Sequence, residues 1–136
     1  MTSVSGSDDA EAVRNTVARY GHLCDDGHFE EFAELFAEDA EFVVPGRTAK
    51  GRAAIQAFME AAQPPERRGK HLCAAPAVDL DGDTATAVTD FAFLAPAEGG
   101  FAVTSAGRYH DRLVRAAPGG AHAWVFAERR IELLRP

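Results

Sequence analysis

Residues 32–42, FAELFAEDAEF, read as the end of an amphipathic helix running straight into a strand, and residues 107–115, GRYHDRLVR, read as a long strand of a half-buried sheet. In the first, Phe32, Ala33, Leu35 and Phe36 join Phe29 on one face of a helix whose other face is acidic. Residues 40–45 then read as a short strand ended by Pro45-Gly46. In the second, strict alternation puts Gly107, Tyr109, Asp111 and Leu113 on one face. Arg108, His110, Arg112 and Val114 share the other.

Upstream, residues 8–25 are expected to be helical. Asp8 and Glu11 are spaced as a capping box, and Ala10, Val13, Val17, Tyr20 and Cys24 recur at helical spacing up to Asp26-Gly27. Gly51 opens a third helix with Ile55, Phe58, Met59 and Ala62 inward, stopped by Pro64-Pro65. Beyond Pro65 the pattern changes to strands, expected over 71–79, 84–95, 101–116 and 123–134. Asp81-Gly82-Asp83, Glu98-Gly99-Gly100 and Pro118-Gly119-Gly120 supply the turns between them. Three helices followed by a meander predict an α+β fold, with helices on one face of a curved antiparallel sheet. Residues 1–7 are small and polar and read as a frayed, disordered tail, leaving 8–136 as a single domain.

The composition is that of an ordinary globular chain, 46% apolar and 26% charged. The net charge of −7 argues against nucleic acid or an anionic membrane as partner. No apolar run is long enough to span a bilayer. The N-terminal MTSVSGSDDAE lacks the basic and apolar regions of a signal peptide, so the cytoplasm is the expected location. In a reducing compartment Cys24 and Cys73 are expected as thiols rather than a disulfide, and no CxxC is present.

Several polar residues sit in apolar patterns. Tyr20 shares a helical face with Val13 and Val17. Its phenol either donates to a substrate carbonyl or packs in the core with its hydroxyl at the rim. Asp90 interrupts AVTDFAFLA, and alternation groups it with Val88 and Ala92, read as the inward face. There it is either a second acid with a raised pKa or the partner of a neighbouring arginine. His22, Asp25 and His28 cluster near the end of the first helix, but with no second dense cluster they read as solvated, and no metal site is expected. Neither a G-x-S-x-G elbow, a P-loop nor a Gly-rich dinucleotide motif occurs, and no cofactor is expected.

The order helix, helix, strand, helix, long strands resembles the nuclear-transport-factor-2-like cone, an α+β barrel. Within it, the chain resembles the SnoaL-like branch, which holds polyketide cyclases and relatives of scytalone dehydratase. The resemblance is carried by YGHLCDDGHF with Tyr20 and Asp25, by FAELFAEDAEF, by His71 of KHLC, by GRYHDRLVR and by WVFAERRIEL. It covers about residues 8–134. It implies that Asp25 pairs with His71 as an acid–base dyad, the carboxylate fixing the tautomer of the ring. The alternatives are a surface loop residue for Asp25 and a satisfied sheet histidine for His71. It also implies an acid–base role for Asp111, against which stands a cross-strand salt bridge to Arg129 or Arg130. The epoxide hydrolases of this fold place an arginine two residues before a strand aspartate; Val88 stands there before Asp90, which disfavours that chemistry. The steroid isomerases of the fold combine a tyrosine with two aspartates, a set that Tyr20, Asp25 and Asp90 imitate only loosely.

The expectation is thus a cofactor-free lyase, isomerase or cyclase acting on a small apolar or aromatic, polyketide-like metabolite in an enclosed pocket. Asp25, His71, Tyr20, Asp90 and Asp111 are the candidate catalytic groups. Phe42, Phe58, Met59, Phe91, Phe93, Tyr109 and Trp124 are the candidate walls. The alternative is a non-catalytic binding or assembly module, for which the small β subunits of ring-hydroxylating dioxygenases provide a similar GRYHDRLVR region. A homodimer through the sheet face is expected either way.

Overall fold

The computed structural model describes residues 6–136, and every structural statement below concerns these. Three helices, α1 (Gly6–Asp25), α2 (Phe29–Ala33) and α3 (Arg52–Ala62), pack against a curved sheet of seven strands. The strands are β1 (Phe36–Val44), β2 (Arg47–Lys50), β3 (Lys70–Cys73), β4 (Ala77–Asp81), β5 (Thr84–Ala97), β6 (Gly100–Arg115) and β7 (Trp124–Leu133). Their order is β2-β1-β7-β6-β5-β3, with β4 also on β5. The sheet curls but does not close, so the fold is an open cone rather than a barrel. No helix among the described residues is long and apolar enough to cross a membrane.

The α+β class follows the expectation, and the differences in detail have local causes. The expected tail at 1–7 lies outside the described residues up to residue 5, and α1 already runs from Gly6. Asp8 therefore sits inside the first turn, where its charge still suits the positive end of the helix. The second helix stops at Ala33, and Leu35 and Phe36 belong to the entry of β1 instead. The Leu35 N–H closes a last turn on the Phe32 carbonyl at 3.1 Å, while its own carbonyl accepts the N–H of Phe126 at 2.8 Å, which starts the pairing with β7.

That pairing of β1 with β7 is parallel, whereas all the others are antiparallel, so the sheet is mixed. It bulges between Phe36 and Glu41, and the freed Phe36 carbonyl takes two N–H groups of Arg52, at 3.0 and 2.8 Å. The short β2 completes a hairpin over Pro45-Gly46. The strand expected over 71–79 is two strands, because residues 74–76 bend away and only Ala74 still bonds to β5.

The core lies between α1 and the concave face of the sheet. Val13, Val17, Tyr20 and Cys24 of α1 are each at most 2% exposed. They meet Phe36, Phe42, Tyr109, Leu113 and Phe126 from the strands. Gly21 lets β3 approach α1 closely, since a Cβ there would lie 3.2 Å from the Cβ of His71.

At the far end of the sheet Arg115 ties elements together. It clasps Asp9 of α1 through two bonds of 2.9 and 3.0 Å and reaches Asp83 at 2.9 Å. Trp124, fully buried, donates its indole N–H to the same Asp9, and its carbonyl accepts the Thr16 hydroxyl. Trp124 is therefore a structural anchor and lines no part of the pocket described next, contrary to expectation. It sits at the start of β7, opposite Arg115, whereas the pocket-facing residues Ile131 and Leu133 are near the end of that strand.

Candidate active site

The last turn of α1 and the short strand β3 lie side by side, and this brings Asp25 to His71. Asp25 Oδ2 accepts the backbone N–H of His71 at 2.9 Å. Asp25 Oδ1 stands 2.5 Å from ring Nδ1. The two side chains are 5% and 8% exposed. A carboxylate on Nδ1 holds the proton there and leaves Nε2 as the free nitrogen.

His71 faces a pocket of about 190 Å³ lined otherwise mostly by apolar and aromatic groups. Tyr20, Phe42, Phe58, Met59, Phe91, Phe93 and Tyr109 all contribute to its lining. Ser105 and Gln63 add polar edges that the sequence reading missed. The pocket has an open mouth, so it is not the enclosed cavity expected. Larger depressions exist, among them about 680 Å³ beside the Pro118–Gly120 loop, about 530 Å³ around Arg108 and Leu134, about 380 Å³ beside His28 and about 310 Å³ beside His110, but none of these four holds a buried carboxylate–histidine pair.

Three protic groups converge on the pocket without a partner among the described residues: His71 Nε2 and the hydroxyls of Tyr20 and Tyr109. None is sealed away, because the side-chain polar atoms that are both sealed and unpartnered among the described residues are Thr89 Oγ1 and Arg129 Nη1. The Tyr20 ring meets His71 edge-on at 5.8 Å and Tyr109 at 5.5 Å. Phe93 lies 4.6 Å from the His71 ring on the other side. Burial pushes both phenols above the usual tyrosine range, so near neutrality both are hydrogen-bond donors.

The other two aspartates part company. Asp111 points inward but is spent on Arg129, through bonds of 2.7 and 2.8 Å between side chains that are both 0% exposed. Asp111 lines no part of the pocket. Asp90 points outward, with its side chain 60% exposed and bonded to Arg108 at 2.6 Å, which holds its carboxyl below the usual range. The inward face of β5 is instead Ala85, Ala87, Thr89 and Phe91, one residue out of step with Asp90. Asp90 thus lines no part of the His71 pocket.

A model of the SnoaL-like domain matches residues 6–130. The chain belongs to this family. Among solved structures, the SnoaL-like domain is similar to an NTF2-like protein with a cystatin-like fold from Novosphingobium aromaticivorans, at 34% identity and a TM-score of 0.82, over 93% of this chain and 82% of that one. It is similar to a variant of Rv3472, a protein of unknown function from Mycobacterium tuberculosis, at 26% identity and a TM-score of 0.85, over 94% and 77%. It is also similar to a protein from Catenulispora acidiphila in complex with S-DNPA, at 28% identity and a TM-score of 0.80, over 93% and 94%. A search of the curated proteins finds no match.

In this SnoaL-like domain Cys24, Asp25 and His71 bring potential metal-ligating atoms within 4.8 Å of one another. Their chemistry does not fit a metal. Both Asp25 oxygens are engaged by His71, and burial pushes the Cys24 thiol up to about 12, far from the thiolate a metal requires. Cys24 and Cys73 are both free thiols, Cys24 buried and Cys73 exposed. The dyad, two phenols and an apolar wall are what this SnoaL-like domain offers to a ligand.

Proposed function

We propose that the protein is a cofactor-free acid–base enzyme, a lyase, isomerase or cyclase, for a small aromatic or otherwise apolar, polyketide-like metabolite carrying a carbonyl or hydroxyl oxygen. The observation that carries this reading is the Asp25–His71 hydrogen bond with His71 Nε2 open to an apolar pocket. His71 Nε2 takes a proton from carbon or oxygen and returns it elsewhere on the substrate, and Asp25 orients the ring and steadies the imidazolium formed in between. Tyr20 and Tyr109 hold the oxygen on which negative charge builds. Dehydration, isomerisation and ring closure all reduce to this shuttle, and substrate shape selects among them. The ligand named for the Catenulispora relative supports small-molecule binding in this fold. An assembly module would have its cavity filled with side chains, whereas this one is open.

The volume of about 190 Å³ falls below that of drug-sized sites and suits one or two fused rings. A direct test follows hydrogen–deuterium exchange at the carbon beside the carbonyl of 2-tetralone in heavy water by NMR. Exchange accelerated by the protein and lost in His71→Ala supports the reading. Equal acceleration by both proteins removes it.

We also propose that the enzyme acts as a homodimer. Leu72, Phe101, Val103 and Leu134 are large apolar side chains more than half exposed, which a partner copy would cover. Light scattering at micromolar concentration should give twice the chain mass, and a monomer there would refute it.

A further inference from the structure

Among the described residues, Arg129 is a charged residue at 0% exposure whose role the acid–base reading leaves open. Its guanidinium is sealed at 0% exposure and bonded to Asp111 through Nε and Nη2, while Nη1 has no partner. A sealed ion pair is poor value for stability, since its desolvation cost often cancels its attraction. Leaving an N–H unpaired makes it poorer. The position of the plate suggests what it does instead. It lies 3.8 Å from the ring centre of Tyr109 and 4.2 Å from that of Tyr20, with Phe126 at 4.4 Å. Two of these three rings are the phenols that open onto the pocket.

We propose that the Arg129–Asp111 pair is a positioning device for the pocket: the guanidinium, anchored by Asp111, locks the Tyr20 and Tyr109 rings and draws electron density from them, which strengthens both hydroxyls as donors to a substrate oxygen. The proposal rests on reading the pocket as an acid–base site. A cation against an aromatic face is attracted to its electrons and polarises the ring. Asp111 holds the plate in register by a two-pronged bond from the adjacent strand, Asp111 pairing with Arg129 across β6 and β7. Burial is the largest influence that keeps both phenols protonated; Tyr109 on β6 and Cys24 on α1 act the same way on Tyr20, Cys73 on β3 and Cys24 on Tyr109, and Asp111 on β6 on both, while Arg129 on β7 opposes them and outweighs Asp111. Removing both charges should therefore make the phenols harder to ionise and weaker as donors.

The chain has two tyrosines, Tyr20 and Tyr109, so a uniform tyrosine label reports on this site alone. The experiment incorporates 3,5-difluorotyrosine, whose two ring fluorines acidify the phenol and bring its midpoint down toward the range in which the chain stays folded, and follows the fluorine resonances of the two rings against pH, with no substrate present, so that it does not depend on whether the dyad works. Two pair replacements are compared with the unsubstituted chain: Asp111→Leu with Arg129→Met, which keeps volume, and Asp111→Asn with Arg129→Gln, which keeps polarity. In a variant with an unchanged circular dichroism spectrum, both midpoints should move up by about one pH unit, a tenfold loss of acidity. Midpoints that stay in place or move down overturn the proposal. If neither pair replacement folds, the ion pair is a folding element and the proposal falls as well.

Discussion

Asp25 grips His71 at two points, the backbone N–H through Oδ2 and the ring through Oδ1. One carboxylate thus sets both where β3 sits against α1 and which ring nitrogen carries the proton. An Asp25→Asn variant keeps the shape but offers its amide N–H to Nδ1, which drives the ring proton to Nε2 and blocks the base. Turnover should fall by roughly 10²–10⁴-fold, with the melting temperature little changed. Full turnover in this variant on any substrate found for the wild-type protein would sink the mechanism.

The two other aspartates give opposite outcomes. Asp111→Ala leaves the sealed Arg129 guanidinium without its counter-charge and should destabilise the fold by about 3–5 kcal/mol in chemical denaturation. Asp90→Ala breaks a solvent-facing pair with Arg108 and should alter neither turnover nor the denaturation midpoint measurably. A loss of turnover in Asp90→Ala at unchanged stability would contradict the outward placement.

Trp124→Ala should cost about 3–5 kcal/mol, because it empties a fully buried site and removes the indole N–H bond to Asp9. The fraction that remains folded should bind pocket ligands as the wild type does, measured by calorimetry on the folded protein. Weaker ligand binding by that folded fraction would place Trp124 in the site after all.

Acid sensitivity should appear in two windows. Burial, aided by Arg19, holds His122 below the usual histidine value, so the unfolded chain binds the extra proton first. Stability is full above about pH 6.5 and is lost as pH falls below it. Asp9 and Glu132 are held low by Arg115 and His110, and their contributions are lost only further down, below about pH 4.5. Denaturation midpoints at pH 7.5 and 5.5 should therefore converge in a His122→Asn variant and differ in the wild type. An equal difference in both proteins would assign the upper window elsewhere.

Gly21→Ala should separate stability from activity. Alanine favours the helix by about 0.5–1 kcal/mol, but its Cβ would press on that of His71. The expected result is a melting temperature within a few degrees of the wild type and a clear loss of turnover. Unchanged turnover would show that β3 yields without disturbing the dyad.

The aspartates also show what could be read from the chain beforehand. On β6, Tyr109 and Leu113 are both large and apolar, so the inward face of Asp111 was legible. On β5, one face is Ala85, Ala87, Thr89 and Phe91 and the other is Thr84, Thr86, Val88 and Asp90, and these differ little in hydropathy. Nothing local says that Thr89 is buried and Val88 is 38% exposed. A period of two fixes who shares a face but not which face is inside. The pairing of β1 with β7 leaves no trace in either segment, because it is a contact between distant parts of the chain. Arg129 stands beside Arg130 in WVFAERRIEL, and only the neighbouring Asp111 distinguishes the buried one. The Asp25–His71 pairing was legible only through family likeness, since 46 positions separate the two residues.

Because β7 lies between β1 and β6, the strand of this sheet that comes last in chain order occupies its middle. As the chain leaves the ribosome, the β1–β2 hairpin must wait with one edge unpaired until residues 124–133 emerge, an interval in which other edges can capture it. Arg129 arrives with that strand, so the floor beneath Tyr20 and Tyr109 is completed only when β7 docks. Any slowing of translation before residue 124 prolongs the vulnerable interval, and a pocket able to bind ligand marks a chain that has passed through it.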